Sequence, residues 1–156
     1  MEKINIRKYR LSDIHQVNKI ALGLPEWFTK GGMENMTIDL KFQSGFVAEE
    51  DGSILGFVTY FINQGKAEIS WMGVMKEHHK MGVGKLLISV LIKKLSIAGL
   101  KELYVHTLGD SVDYAPYAKT RAFYRGIGFK DHKSTLHPDN PEYGEELILK
   151  LEFNNR

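Results

Sequence analysis

The stretch Ala67-Glu-Ile-Ser-Trp-Met-Gly-Val-Met75, continuing as Lys76-Glu-His-His-Lys-Met-Gly82-Val-Gly84-Lys85-Leu-Leu87, reads as a strand, a polar loop and the start of a helix. The spacing predicts that helix over 83–98, with Val83, Leu86, Leu87, Val90, Leu91, Lys94 and Leu95 on one face and Gly99 as its left-handed stop. The loop would then aim backbone N–H groups outward at the positive end of the helix dipole. Glycine at 82 and 84 leaves room for close approach, and Lys80 and Lys85 add charge. That arrangement suits a pyrophosphate. Two commoner phosphate loops fail on identity. A Walker A loop needs glycine where His79 stands and Ser or Thr where Leu86 stands, and the dinucleotide fingerprint needs a third glycine where Leu87 stands. A glycine-rich turn that binds nothing stays open for the loop taken alone.

Outward from this stretch the pattern alternates between strands and helices. Ile4 and Ile6 alternate as a first strand, and Ser12 or Asp13 caps a helix carrying Ile14, Val17 and Ile20. Pro25, Trp27, Phe28, Gly31 and Gly32 suggest a loop, followed by a short helix over 33–42. Strands are expected over 45–50, 54–63 and 67–75, joined at Asp51-Gly52 and at Gln64-Gly65-Lys66. Beyond Gly99, residues 102–107 read as a strand parallel to the one before the helix. A helix over 118–125, stopped by Gly126 and Gly128, precedes closing strands over 129–135 and 145–153, with 137–141 as the loop between them. The expectation is one α+β domain, 1–156, built on a mixed sheet.

Composition excludes several classes of chemistry. The chain of 156 residues has no cysteine, so thiolate nucleophiles, disulfides and Cys-type zinc sites are ruled out. The six histidines include the adjacent pair His78-His79, which lacks ligand spacing, with His15, His106, His132 and His137 scattered, so no metal is expected. A net charge of +2, with basic residues dispersed among acids, argues against nucleic acid as partner. Neither a signal-type N-terminus nor an apolar run of about 18 residues is present, which points to the cytoplasm and away from a membrane.

Two motifs together resemble the GCN5-related N-acetyltransferases. The family's Gln/Arg-x-x-Gly-x-Gly/Ala reads here as His79-Lys-Met-Gly82-Val-Gly84, with His in the first place. Its second motif reads Phe123-Tyr124-Arg-Gly-Ile-Gly128-Phe129, with Tyr117 where an Asn is usual. The order of elements follows the family over 4–153. The resemblance implies a mostly antiparallel sheet of about six to seven strands, helices on both faces, splayed between the strands at 67–75 and 102–107. It implies direct transfer of an acetyl group from acetyl-coenzyme A to a primary amine of a small molecule or peptide, through a ternary complex and without a metal.

The resemblance also implies roles for individual residues. Glu68, eleven residues before His79, matches a glutamate general base, and partial burial in its strand would raise its pKa as such a base requires. A solvated strand carboxylate is the alternative. Tyr124 matches the general acid that protonates the departing thiolate, with an aromatic packed at a helix end as the alternative. Met72, Gly73 and Val74 would offer backbone groups to the pantetheine, with Gly73 at a β-bulge and the Val74 N–H polarising the thioester carbonyl. His79, Lys80, Met81, Gly82, Val83, Gly84 and Lys85 would hold the phosphates. Trp27, Phe28, Tyr114 and Tyr117, with Asp110 and Asp113, would line a pocket for a cationic amine, while Trp71 is assigned to the core. Competing functions are a non-catalytic coenzyme A sensor or interaction module and an acyltransferase using another acyl donor. The oligomeric state stays open, a homodimer included.

Overall fold

Asp51 and Gly52 have φ of 51° and 79°, and Gln64 and Gly65 have 52° and 77°. Positive φ at both central residues marks type I′ turns, whose twist matches that of antiparallel strands. They fold β2 (Ser44–Glu50), β3 (Ser53–Asn63) and β4 (Lys66–Val74) into a meander. In the computed structural model, which describes residues 3–137, 139 and 144–153, β1 (Asn5–Lys8) pairs antiparallel with β2. β5 (Glu102–Leu108) lies parallel to β4 on the far side. β7 (Glu145–Glu152) inserts between β5 and β6 (Lys130–Leu136), giving the order β1-β2-β3-β4-β5-β7-β6.

The parallel step from β4 to β5 needs a crossover, supplied by α3 (Val83–Ile97). Val83, Leu87, Ile88, Leu91 and Leu95 form its buried face. The face is rotated from the expected one: Leu86 is exposed, as is Lys94, and Ile88 faces inward instead. Gly99, at φ 94°, ends the helix. Its N–H donates to the Ser96 carbonyl at 3.0 Å and that of Leu100 to Leu95 at 3.0 Å, a Schellman closure.

Helices cover both faces. Ala67, Ile69, Val105, Leu147 and Leu149 pack with α3, Tyr124 and Phe129 in one core. The second core joins Val47 and Phe57 to α1 (Ile14–Leu22) and α2 (Lys30–Asp39) through Val17, Ile20, Met36 and Leu40. Each fully buried aliphatic side chain stabilises by about 1.5–3 kcal/mol relative to exposure.

Several local expectations shift. A 3-10 turn, Leu11–Asp13, precedes α1, and Asp13 reaches back to the Arg10 N–H at 2.8 Å instead of capping the helix ahead of it. Thr29 caps α2 by accepting from the Gly32 N–H at 3.0 Å, so Gly31 and Gly32 belong to the helix. α4 (Ala115–Ile127) starts earlier than expected, with Pro116 in its first turn, where a missing N–H costs no hydrogen bond. It runs through Gly126, and Gly128, at φ 125°, stops it. Of the expected loop over 137–141, Pro138, Asn140 and Pro141 lie outside the described residues.

Candidate active site

β4 and β5 pair at only three positions, Ala67↔Leu103, Glu68↔Tyr104 and Ile69↔Val105. Beyond them β4 runs on to Val74 and β5 to Leu108 without pairing to each other, so the sheet forks where the splay was expected. A bulge sits on β4 just past the last pair. Thr59 opposes Trp71 and Tyr60 opposes Ile69, leaving Ser70 as the extra residue. The bulge is therefore not at Gly73, which pairs regularly with Phe57. Thr59 Oγ1 accepts the Trp71 N–H at 3.2 Å and donates to Gln43 Oε1 at 3.0 Å, while Gln43 Nε2 donates to Ser70 Oγ at 2.9 Å. The extra residue inverts the alternation of β4. Ala67 and Ile69 face the α3 core before it, Met72 and Val74 after it, and Trp71 turns to the opposite core.

Glu68, between Ala67 and Ile69, therefore faces away from α3. Its carboxyl pKa is raised by burial, with the nearby Glu146 adding to the rise and His106 opposing it. Tyr124 lies on the α3 side, buried between Phe123 and Phe129. Burial pushes its phenol well above the ordinary tyrosine range, so it holds its proton. The hydroxyl donates to Met72 Sδ at 3.7 Å, a weak acceptor. A carboxylate and a phenol thus flank the fork from opposite faces. Thr107, on the Tyr124 side of β5 and beyond the last β4–β5 pair, keeps a buried Oγ1 without a partner.

At the end of β4 the chain turns through a 3-10 segment, Lys76–His78, into α3. Gly82, at φ 83°, is the N-cap of α3, and no side chain caps the helix. The first N–H groups of a helix have no acceptor within it. Lys80 also adopts a positive φ, 66°. The two glycines differ in what they make room for. A Cβ on Gly82 would meet nothing within 4 Å, whereas one on Gly84 would sit 2.9 Å from Phe123 Cζ and 3.2 Å from Met72 Cε. Gly84 is a packing glycine and Gly82 the open one. His79 turns back, its Nε2 2.6 Å from the Val74 carbonyl oxygen.

The profile of the Acetyltransferase (GNAT) family matches residues 10–129, more than half of the chain. The chain belongs to this family. A relative from Chlorobaculum tepidum, an uncharacterised N-acetyltransferase, is 26% identical over 85% of this chain and 79% of its own. Among solved structures, a GNAT-family acetyltransferase candidate from Desulfovibrio desulfuricans superposes with a TM-score of 0.84 at 20% identity, over 96% of this chain and 99% of that one. The PaiA N-acetyltransferase of Thermoplasma acidophilum, crystallised with coenzyme A, gives 0.73 at 17% identity, over 97% and 99%. The enzyme is an N-acetyltransferase.

In this acetyltransferase the segment between α1 and α2 crosses the mouth of the fork to α4. Trp27 Nε1 donates to the Pro116 carbonyl at 3.1 Å and to Thr120 Oγ1 at 3.0 Å, and its ring meets His79 edge-on at 6.1 Å. Tyr114 donates to the Glu26 carbonyl at 2.7 Å and packs on Tyr117, with ring centroids 5.5 Å apart. Phe28 is buried against Phe57 and Trp71 and also borders a groove of ≈ 510 Å³ between α1 and α2, with Leu22, Pro25 and Met33. Trp71 is a core residue, its indole donating to Asp39 Oδ2 at 2.8 Å. Asp110 does not stand free for an amine: Arg125 holds it at 2.8 Å and Arg121 at 3.1 Å. Among the described residues, no helix is long and apolar enough to cross a membrane.

Sequence spacing does not single out His106 and Glu146, which lie far from Glu68 along the chain. His106 Nε2 is 2.5 Å from Glu68 Oε1 and its Nδ1 is 2.7 Å from Glu146 Oε1. The signal available was alternation: His106 and Glu146 fall on the same face as Glu68 once β7 is placed beside β5. Arg121 carries no motif signal either. Nearly buried, it donates to the carbonyls of Leu108 at 2.7 Å and Gly109 at 3.0 Å, tying α4 to the end of β5.

Proposed function

We propose that this enzyme transfers an acetyl group from acetyl-coenzyme A directly to a primary amine of a small molecule or peptide, within a ternary complex. The observation that carries the reading is the fork in the sheet with Glu68 on one face and Tyr124 on the other. Donor binding is supported by the uncapped N-terminus of α3, with Met81, Gly82, Val83, Gly84 and Lys85 supplying backbone groups and Lys80 and Lys85 charge. His79 bonds the Val74 carbonyl, so the cradle rests on backbone and lysines rather than on this ring. Along the edge of β4 that β5 leaves unpaired, Met72 and Val74 turn their backbone groups outward, with Gly73 between them bonded toward β3, and pantetheine amides would hydrogen-bond there. The orphaned Thr107 hydroxyl in the fork also fits a ligand with amide groups.

When bound, the thioester supplies an activated acetyl group. Glu68 accepts a proton from the acceptor ammonium, directly or through water, and frees the nitrogen to attack the carbonyl carbon. The Val74 N–H polarises that carbonyl. As the C–S bond breaks, Tyr124 gives its proton to the thiolate, and the second ammonium proton restores the phenol. Trp27, Phe28, Tyr114 and Tyr117 wall the acceptor side.

Tyr124→Phe tests the reading. Turnover falls by about a hundredfold while the dissociation constant for coenzyme A, measured by calorimetry, stays within a factor of about two. An unchanged rate removes Tyr124 from the mechanism.

A further inference from the structure

We propose that His106 and Glu146 extend the base into a relay, in which His106 takes the acceptor's proton from Glu68 and Glu146 releases it to solvent. The proposal rests on Glu68 being the base. Its own support is geometric: one imidazole bridges two carboxylates, at 2.5 Å from Glu68 Oε1 and 2.7 Å from Glu146 Oε1. The three side chains come from three adjacent strands and run outward, with side-chain exposures of 22%, 45% and 45% for Glu68, His106 and Glu146. His106 is the first residue of β5 past the last β4–β5 pair, so the chain of groups starts at the fork.

The overall reaction requires an exit. An ammonium acceptor that becomes an amide loses two protons, the thiolate takes one, and one must leave. Burial favours the neutral form of Glu68, so a route that draws the proton away from it helps return it to the charged state. Through the relay, Glu68 gives the proton to His106 Nε2 as Nδ1–H passes one to Glu146, which loses it to water. The imidazole ends with the same number of protons on exchanged nitrogens, and Glu68 returns to its charged form. Exchange with water at the half-exposed ring then moves the proton from Nε2 back to Nδ1 before the next turnover.

The groups around His106 are few. Glu68 faces it from β4 and Glu146 from β7. His137, following β6, lies 4.0 Å from Glu146 Oε2. On the same face of β5, Tyr104 donates to Glu102 and meets His132 of β6 edge-on, and Lys150 of β7 pairs with Glu102 and Glu152. Among the described residues, the two glutamates are thus the ion-pair partners of the ring.

The test compares His106→Ala, Glu146→Gln and Glu68→Gln with the wild type, using a hexapeptide with a free alanyl N-terminus and spermidine as acceptors. Expected for His106→Ala are a kcat at least about tenfold lower, an acetyl-coenzyme A KM within about twofold and partial rescue by added imidazole. The acidic limb of the rate profile should also move to higher pH, because His106 is the group that lowers the Glu68 pKa. Glu146→Gln lowers kcat with the same KM. A wild-type rate and limb in His106→Ala beside an inactive Glu68→Gln overturns the relay and leaves Glu68 as the base. An active Glu68→Gln overturns both. The resting protein gives an answer that needs no acceptor: in ¹⁵N-detected spectra the His106 ring nitrogen signals should move in both glutamate variants, because each removes a carboxylate partner from one ring nitrogen. Ring signals identical in all three proteins overturn the bridge.

Discussion

Glu68 is placed where burial and Glu146 disfavour its charge more than His106 offsets them. A carboxyl whose folded pKa is raised costs stability above that pKa, and the cost disappears once pH falls below the unfolded value. Glu68→Gln is therefore expected to raise the thermal midpoint at pH 7 and to leave it unchanged near pH 3, while turnover falls by about a hundredfold or more. In the wild type, kcat/KM should fall as pH drops through a value above the ordinary glutamate range, since only the charged form accepts a proton. A Glu68→Gln protein less stable than wild type at pH 7 would contradict the assigned environment. Glu68 and Tyr124 were nameable as candidates from sequence because each holds a fixed place relative to a motif. His106 was not, because its partners lie on two other strands.

At the scale of elements, the α3 start separates two functions that adjacent glycines share in sequence. Gly84→Ala should destabilise by about 1–3 kcal/mol, because its Cβ would press on the Phe123 ring at 2.9 Å. Gly82→Ala strains a backbone at φ 83° by about 1–2 kcal/mol, and it also places a methyl group in the open cradle. Coenzyme A affinity should thus drop by about tenfold or more in Gly82→Ala, a loss of some 1.4 kcal/mol, and by less in Gly84→Ala. Urea denaturation and calorimetry of both variants check the contrast. Sequence spacing gave both glycines one role, since the Phe123 contact forms only when α4 packs on α3. The bulge shifted from Gly73 to Ser70 for a similar reason: it is fixed by Gln43 and Thr59, which no local pattern in β4 reveals. The hairpins, by contrast, were readable because Asp51-Gly52 and Gln64-Gly65 encode their turns locally.

On the scale of the whole molecule, the sheet opens on one side and the segment carrying Trp27 ties its two halves together. Glu26 also pairs with Lys76 at 2.8 Å, so residues on either side of the fork share this bridge. Trp27→Ala should raise the amine KM more than the acetyl-coenzyme A KM and accelerate amide hydrogen exchange over 23–29 by about tenfold or more. Equal effects on both KM values would place this segment away from the acceptor. The weak periodicity of 22–42 hid this bridge, because its contacts are with α4, some ninety residues on.

The donor site is tested most directly by titrating ¹⁵N-labelled protein with acetyl-coenzyme A and following backbone amide shifts. The largest shifts are expected at Gly82, Val83, Gly84 and Lys85 and along the β4 edge at Met72 to Val74, with Thr107 responding and β1 and β2 still. Saturable shifts centred on any other surface, with these amides unmoved, would contradict the assignment of the fork as the acetyl-coenzyme A site.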